Sequence, residues 1–486
     1  MQPDSDAADR TPRPHPTSSP DRPPNILLVS MDTVRADRTS LGAARSGRDT
    51  TPNLAALASV GVSWTNAYAV ANESLTSHAA LFSGRYPSEV ALPDYASFAL
   101  PAAVPTLASV LRAYGYATAA FTGGGHVVAD FGFDHGFGRF ESVGADDPRG
   151  GRFGSFFDTV PPARAWMHGQ GDAPWFAFVH GYDAHTPYVQ RGPMTHLWGR
   201  EGATDRVEAL LADPGAVEQL RGRTWFQDRA PTDFTHAVGR TVLGTDFYRL
   251  PATPRPGERH VTLTDAEVAH LRDHYDTGLT YADVWLGVLL AGVDLSRTLV
   301  IVVSDHGEDL LDHGYANHRA GLWDSTLHVP LVVAGPGFGG GERSDGRVDL
   351  RSVVPTVLRA IGGALPAGVS APALQDRPDA PVLFAEGVMD QVSAWDGAVR
   401  LTLDDVGLAR GAPDLATRAL DDRATLTRAA GVPADLADAD ARAEAARLRE
   451  RVVAWRAGLV PATEPGVPVP DALRAALRER GYWTPE

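Results

Sequence analysis

The sequence predicts an α/β fold, a three-layer sandwich in which a large, mostly parallel sheet lies between two layers of helices. A small α+β subdomain is expected at the C-terminal end. Two observations lead to this prediction. Short apolar runs are typical of strands that are buried on both faces, and they alternate with segments of helical periodicity. A chain of 486 residues, 43% of them apolar, is long enough to bury the core of such a sheet.

The predicted strands are apolar runs that are too short to form stable helices. The first of them, Asn25–Met31, opens the part of the chain that we expect to be ordered. The others are residues 117–122, 174–179, 297–303 and 329–334. Each is predominantly apolar rather than alternating, which favours the interior of a parallel sheet over an exposed edge.

The predicted helices lie between these strands. Residues 51–60 have helical spacing and are followed by Gly61, and residues 105–115 end at a second glycine. Thr264 and Glu267 form a capping-box pattern that opens a long amphipathic helix. Strand, helix and strand thus alternate along most of the chain.

Changes in composition divide the chain into segments. Residues 1–24 are rich in Pro, Ser, Asp and Arg and are expected to be a disordered tail. Residues 25–370 form the predicted main domain, in which the polar, Pro- and Arg-rich segment 190–260 is an insertion. Residues 371–486 form the predicted C-terminal subdomain, with a meander at 381–404 and a helix at 434–458.

Composition also excludes several classes of chemistry. The chain has no cysteine, so disulfides, thiolate metal sites and cysteine nucleophiles are excluded. It has no lysine either, since all 44 basic residues are arginine, so a catalytic lysine is excluded. A net charge of −16 argues against nucleic acid or an anionic membrane as a partner. The tail lacks the apolar region of a secretory signal and no later stretch has the length of a membrane span, so we expect a cytoplasmic protein.

Acidic residues follow two of the predicted strands. Asp32 comes directly after the first strand, and Asp305 and His306 follow the strand at 297–303. In open α/β sheets, ligands bind beyond the carboxyl ends of the strands. A lone aspartate there often caps a turn, but two such ends with an adjacent histidine favour a shared metal site.

Ser74 stands where another predicted helix begins, a helix that ends near Gly84. We expect Ser74 to be its N-cap, where free backbone N–H groups and the helix dipole favour an oxyanion. Spacing alone does not separate a nucleophile from a simple cap.

Several motifs in order resemble the sulfatase family of the alkaline phosphatase superfamily. They include residues 24–37 with 51–54, the segment 74–87 around Ser74, residues 131–137, residues 180–188 and residues 304–308. His313-Gly314 and His328-Val-Pro330 match as well, so the resemblance spans residues 24–335. It implies an alkaline-phosphatase-like fold and makes the main domain a catalytic one.

The departures from that family are informative. Sulfatases convert a Cys or Ser to formylglycine within a C/S-x-P-x-R pattern, but Thr76 and His78 stand here for the Pro and Arg. Their second acidic metal ligand is replaced by Thr33, and their substrate-binding lysines are absent. Asp32, Ser74, Asp305 and His306 instead resemble the single-metal set of the superfamily's phosphoesterases and phosphotransferases, which use an unmodified Ser or Thr.

The resemblance implies a role for each remaining site residue. Ser74 is the expected nucleophile and also a metal ligand, and His185 is expected to protonate the leaving group. His318, His126 and His78 are expected to bind substrate, the first two near positions where the family has lysines. Mixed Asp and His ligands favour one Mn²⁺ or Zn²⁺ ion, with Mg²⁺ or Ca²⁺ as alternatives.

The expected function is hydrolysis of small anionic phosphate, phosphodiester or phosphonate esters. Four alternatives stay open: a sulfatase with unmodified Ser74, a phosphotransferase, an inactive binding protein, and a two-metal enzyme. In the last case, Asp183, His185 and His318 would hold the second ion.

Overall fold

The computed structural model is built around an eight-stranded sheet with strand order β11-β2-β10-β9-β1-β6-β4-β5. It describes residues 22–460 and 467–468, with gaps at 43–46, 91–97, 144–153, 187, 189–193, 195–196, 200–206, 208–239, 246–257, 314–317, 388–389, 405, 407–419, 421–423 and 429–431. All neighbouring strands run parallel except β10, which is antiparallel to both β9 and β2. This arrangement confirms the predicted fold class.

The strands of this sheet are short and mostly buried. Their bounds are β1 Asn25–Met31, β2 Val62–Tyr68, β4 Ala117–Thr122, β5 Arg139–Ser142, β6 Trp175–Gly181, β9 Thr298–Val303, β10 Leu331–Ala334 and β11 Glu342–Asp349. The central strand β1 packs against both helical layers, because Ile26 and Leu28 point into one core and Leu27 and Val29 into the other. Its uniform apolar character follows from this double burial.

The helices of the main domain cover the two faces. One core includes apolar residues of α2 (Ser74–Ser83), α3 (Leu107–Ala113) and α7 (Val353–Ala360). The other includes those of α1 (Pro52–Val60), α4 (Phe156–Gly169) and α5 (Asp265–Leu290). A short helix, α6 (Asp324–Leu327), follows the loop after β9. The capping box predicted for α5 is present, since the Thr264 amide donates to Glu267 Oε2 at 2.7 Å.

A second, antiparallel sheet follows in the chain. Its strands are β12 Leu383–Gly387, β13 Gln391–Trp395, β14 Val399–Leu403, β15 Ala424–Arg428 and β16 Val432–Ala434, in that order. Helix α8, Ala439–Gly458, packs its buried residues Leu448 and Val452 on this sheet. The predicted helix at 434–458 starts too early, because Asp438 caps α8 by accepting a hydrogen bond from the Ala441 amide at 2.9 Å.

The remaining strands form two-stranded pairs. Strand β3 (Phe98–Ala99) pairs with β17 (Val467–Pro468), and β7 (Arg240–Thr245) runs parallel to β8 (Glu258–Leu263). Most of the predicted tail and insertion lies outside the described residues. No helix in the described part of the chain combines the length and the apolarity that a membrane crossing requires.

Candidate active site

Three neighbouring strands of the main sheet, β9, β1 and β6, end at the same edge. Asp32 follows β1, Asp305 and His306 follow β9, and His180 is the second-to-last residue of β6. One ligand atom each from Asp32, Asp305 and His306 lies within 4.8 Å of the others. All three side chains are buried. The prediction that the two strand ends converge therefore agrees with the structure.

Ser74 faces this cluster from the start of α2. Its Oγ donates to Asp32 Oδ2 at 3.2 Å and lies 3.3 Å from His306 Nε2. The sequence analysis placed Ser74 at the N-cap, which is wrong by one residue. Glu73 is the N-cap, and its Oε2 accepts a hydrogen bond from the Leu75 amide at 2.9 Å. Ser74 is thus the first helical residue, with its hydroxyl free to point at the carboxylates rather than at its own helix.

The tautomer of His306 is fixed by the backbone. Its Nδ1–H donates to the Gly307 carbonyl at 2.9 Å, so the Nε2 atom carries the lone pair. That lone pair faces Ser74 Oγ, and Nε2 also lies 3.3 Å from Asp305 Oδ2. A neutral imidazole with a backbone-fixed Nδ1 proton is the form in which histidine binds metals.

A divalent cation fits the donor set. Among the described residues, Asp32 Oδ1 and Asp305 Oδ2 are buried oxygens without a hydrogen-bond partner, although such atoms are normally paired. Burial and the neighbouring Asp305 raise the pKa of Asp32 well above its usual range. Burial opposes ionisation of Asp305 as well, but His306, His78 and His180 outweigh it and lower the pKa of Asp305 to about 2. Two crowded carboxyls beside an oriented imidazole are chemically suited to a metal ion.

His180 is a site residue that the sequence analysis did not assign. Its Nδ1 accepts a hydrogen bond from the Gly123 amide at 3.3 Å, and its Nε2–H donates to Asp32 Oδ2 at 3.1 Å. Burial lowers its pKa well below the usual range, which keeps the ring neutral. The signal was available, because His180 begins a family-like motif at the end of a buried strand.

His78 does not occupy the predicted substrate-binding position. It lies one turn after Ser74 in α2 and is fully buried. Its Nδ1–H donates to the Ser74 carbonyl at 2.8 Å, and its Nε2 accepts from Ser30 Oγ at 3.0 Å. Both ring nitrogens are therefore engaged inside the protein, and the ring supports the helix turn that carries Ser74.

His318 and His185, two further predicted site residues, lie next to each other beside the cluster of Asp32, Asp305 and His306. The ring of His318 lies 4.2 Å from that of His306 and 5.3 Å from that of His185, measured between centroids. His318 Nδ1 lies 3.2 Å from Glu308 Oε1, and His185 Nδ1–H donates to the Thr186 carbonyl. Burial lowers the pKa of His318 well below its usual range and that of His185 to about 3. Both rings are thus neutral near pH 7.

His126 and an unpredicted arginine approach the helix cap. His126 Nδ1 lies 2.6 Å from Glu73 Oε1, and Arg319 Nη2 lies 3.7 Å from the same oxygen. Burial opposes ionisation of Glu73, but His126 and Arg319 outweigh it and lower the pKa of Glu73. Arg319 directly follows His318. The sequence analysis looked for histidines at the positions of the family's lysines and did not consider the arginine next to His318.

Asp183 does not join a second metal cluster. Its Oδ2 accepts a hydrogen bond from the Phe156 amide at 2.9 Å, at the start of α4. Across the described ranges, Asp32, Asp305 and His306 are the one group of three candidate ligands that approach each other closely enough to share an ion. The arrangement gives no support to a site formed by Asp183, His185 and His318.

Comparisons with known proteins agree with the fold and the motifs. A family model described as sulfatase matches residues 24–363. Mouse steryl-sulfatase is 27% identical over 417 residues, which are 73% of this chain and 64% of that protein. The multifunctional alkaline phosphatase superfamily protein PehA of Trinickia caryophylli is 25% identical over 210 residues, 42% of this chain and 37% of that protein. The chain thus matches less than two thirds of the length of either relative.

A solved structure extends the likeness to the fold. The phosphonate monoester hydrolase SpPMH from Silicibacter pomeroyi superposes with a TM-score of 0.62 at 18% identity. The match covers 89% of this chain and 95% of that one. At this identity the comparison shows a shared fold, which includes the predicted three-layer arrangement.

Proposed function

The chain belongs to the sulfatase family, and from that premise we propose that it hydrolyses small monoanionic phosphoesters with an unmodified Ser74. The substrates would be phosphodiesters or phosphonate monoesters. The observation that carries the proposal is the position of Ser74 Oγ, 3.2 Å from Asp32 Oδ2 and 3.3 Å from His306 Nε2. A hydroxyl aimed at a metal-binding cluster from the start of a helix is suited to nucleophilic attack.

Asp32, Asp305, His306 and Ser74 Oγ would hold one divalent cation. When bound, such an ion lowers the pKa of a serine hydroxyl and offsets the negative charge of an ester substrate. Two carboxylates and one imidazole favour Mn²⁺ or Zn²⁺ over Ca²⁺.

Two side chains would set the geometry of attack. His180 fixes the Asp32 carboxylate through its Nε2–H, and His78 holds the first turn of α2 through the Ser74 carbonyl. Because both rings are fully buried and hydrogen-bonded to these groups, they hold them in fixed positions. The Ser74 hydroxyl is thereby kept on the side of the helix that faces the strand ends.

The reaction would proceed in two displacements on phosphorus. Ser74 loses its hydroxyl proton as Oγ forms a bond to phosphorus and the ester P–O bond breaks, and the alcohol leaves with one proton. Water then attacks the phosphorus of the seryl intermediate: its oxygen stays on phosphorus, the Oγ–P bond breaks, and one proton returns to Ser74 Oγ. His185 would supply the proton to the leaving oxygen, which requires that the negative substrate raise its pKa from the value near 3 in the free protein.

The charges around Ser74 favour a substrate with one negative charge. The lowered pKa values of His318 and His185 keep both rings neutral, whereas Glu73 is ionised. Of the described residues named above as neighbours of Ser74 and Glu73, Arg319 is the one with a permanent positive charge. A phosphate monoester with two negative charges would meet less compensation than a diester or a phosphonate ester.

The nature of the nucleophile favours phosphoryl over sulfuryl transfer. Formylglycine sulfatases release sulfate from a hydrated aldehyde, and a plain serine lacks that route. Thr76 and His78 replace the Pro and Arg of the maturation pattern. With unmodified Ser74 the covalent intermediate must be opened by water, as happens with seryl phosphate across the resembled superfamily.

A panel of nitrophenyl esters tests the proposal. The phosphate, phosphodiester, phosphonate and sulfate are assayed with Mn²⁺ and with Zn²⁺. We expect kcat/KM for the phosphodiester or phosphonate to exceed that for the sulfate by at least about tenfold, or ~1.4 kcal/mol. Faster sulfate turnover would restore the sulfatase alternative.

Two controls complete the assay. Ser74→Ala should abolish turnover while the protein remains folded. Turnover at the wild-type rate in this variant would exclude Ser74 as the nucleophile. Added glycerol separates hydrolysis from transfer, because a phosphotransferase would release nitrophenol and form glycerol phosphate. Metal binding with no turnover of any ester would indicate a binding protein.

We also propose a division of the chain into domains. Residues 25–370 would form the catalytic domain, with its insertion at 190–260, and residues 371–486 the C-terminal subdomain. The separate sheet β12–β16 and its core against α8 support this division. Contacts cross the boundary, since Glu386 accepts a hydrogen bond from the Ser88 amide at 2.8 Å.

A further inference from the structure

Two histidines on α5 converge outside the cluster around Ser74. His270 and His274 are both buried, with 3% and 5% of their surfaces exposed. Their Nε2 atoms lie 3.2 Å apart, and their rings are nearly perpendicular, at 82°. The spacing of four residues places both side chains on one face of the helix.

The distance between the two nitrogens matches a shared metal ion. Zinc binds imidazole nitrogen at roughly 2.0–2.1 Å in tetrahedral geometry. Two such ligands are then about 3.3 Å apart, by the tetrahedral angle applied to those bond lengths. The observed 3.2 Å is close to that value, and the crossed rings let the nitrogens meet while the ring carbons stay apart.

The number of protons on the two imidazole rings is compatible with metal binding. Two neutral imidazoles carry two protons, and nitrogens this close cannot both be protonated at Nε2. At least one ring therefore carries its proton on Nδ1 and directs a lone pair at the other ring. When a cation binds, the second ring moves its proton to Nδ1 as well, and the pair releases no net proton.

We propose that His270 and His274 bind one transition-metal ion of the zinc class through their Nε2 atoms. The nearby Glu267 has a different role, because its Oε2 accepts a hydrogen bond from the Thr264 amide in the capping box. Two imidazole nitrogens are donors that suit Zn²⁺, Ni²⁺ or Cu²⁺.

The proposed site lies beside hydrogen bonds that join α5 to Leu310 and Asp312, in the loop that follows His306. Arg272, between the two histidines in sequence, donates to the Leu310 carbonyl at 3.0 Å and to Asp312 Oδ1 at 2.7 Å. A metal ion that joins two successive turns of α5 would therefore stabilise the helix segment that anchors the loop after His306.

Calorimetric titration of the full chain, without an affinity tag, with Zn²⁺ tests the proposal. We expect two zinc ions per wild-type chain and one in the Asp305→Asn variant. In the Asp305→Asn background, His270→Gln and His274→Gln should each weaken the remaining site at least tenfold. His168→Gln on α4 is the matched control and should leave it unchanged.

A spectroscopic readout separates binding by the pair from binding elsewhere. Cu²⁺ added to Asp305→Asn protein should show coupling to two nitrogens in its electron paramagnetic resonance spectrum, and to one nitrogen in His274→Gln. The number of zinc ions bound is a further test in the protein that keeps Asp305. There, the variant with both His270→Gln and His274→Gln should bind one zinc ion instead of two. If the double variant keeps the wild-type stoichiometry, or if Asp305→Asn binds no zinc, the pair is a hydrogen-bonded contact and the proposal is wrong.

Discussion

Replacing Asp305 by asparagine tests whether the strand-end cluster holds a metal. The substitution keeps the shape of the side chain and removes its charge. Asp305 is fully buried, and its Oδ2 has no hydrogen-bond partner among the described residues. Its carboxylate lies within 4.8 Å of the ligand atoms of Asp32 and His306. We therefore expect Asp305→Asn to lose metal while the fold is retained.

The size of the effect follows from the charges in the cluster. Two carboxylates within 4.8 Å of each other repel by at least about 3 kcal/mol at an effective dielectric constant near 20, and a bound cation relieves that repulsion. Residues that only orient ligands change metal affinity by about 10–100-fold. Loss of a direct ligand should therefore weaken binding by at least about 100-fold, or ~2.7 kcal/mol.

Metal-dependent stabilisation makes this loss measurable without an activity assay. At a metal concentration of about 100 times Kd, the wild type should gain ~2.7 kcal/mol in free energy of unfolding. At the same concentration, a variant with a Kd raised about 100-fold should gain only ~0.4 kcal/mol. Urea unfolding with and without metal, together with metal analysis after dialysis, gives both quantities.

The matched control is Asp283→Asn. Asp283 is also buried, but it accepts hydrogen bonds from the Asn53 and Leu54 amides at the start of α1. Its substitution should leave metal affinity unchanged. If Asp305→Asn keeps full metal occupancy, or loses less than tenfold in affinity, Asp305 is not a direct ligand and the proposed site is wrong.

Four further outcomes are expected. Mass spectrometry of the peptide that contains Ser74 should show unmodified serine, and an aldehyde would contradict the proposed nucleophile. His185 should titrate by NMR with a pKa of about 3, so its ring becomes charged only as the pH falls through that value; a midpoint near 6.5 would show that the ring is solvated and would contradict this prediction. His180→Ala should weaken metal binding by about 10–100-fold through the lost hydrogen bond to Asp32, with partial rescue in His180→Gln, and equal affinity in all three proteins would exclude an orienting role. Asp283→Ala should lower the free energy of unfolding by about 1–3 kcal/mol in urea, because it leaves backbone donors of α1 unpaired, and no change would mean that water replaces the cap.

The position of the site could be predicted from the sequence because it depends on local patterns. Uniformly apolar runs marked the strands, and parallel strands end at one edge of a sheet. Asp32 and Asp305 therefore had to lie near each other once both runs were assigned to one sheet. The predicted strand Asn25–Met31 agrees with the observed β1.

The orientation of side chains was harder to predict, as His78 shows. A residue four positions after Ser74 lies on the same face of α2, one turn deeper into the protein. Because Ser74 is the first helical residue, the cluster of Asp32, Asp305 and His306 faces the helix end and His78 lies one turn behind it. The spacing alone contained this information, but its use required the true first residue of the helix, and Glu73 rather than Ser74 is the cap.

Partners distant in the sequence were beyond prediction, and Thr33 is the clearest case. Its φ of 60° is rare for a β-branched residue and marks local strain. Tyr275 from α5 holds this turn, because its hydroxyl donates to the Thr33 carbonyl at 2.8 Å and accepts from the Arg35 amide at 3.0 Å. The strained turn in turn directs the Thr33 amide at Asp305 Oδ1, at 3.3 Å.

The same turn explains how the site can work without the second acidic residue that family sulfatases have at this position. A carboxylate at position 33 would add a third negative charge to Asp32 and Asp305. The Thr33 hydroxyl instead donates a hydrogen bond to the backbone carbonyl of Asp32 at 2.7 Å. The cluster therefore contains two carboxyl groups. Two carboxylates balance one divalent cation, so little positive charge is left over for a doubly charged ester. The substitution of threonine at this strained turn therefore supports the same conclusion as the neutral histidines, namely a preference for substrates with a single negative charge.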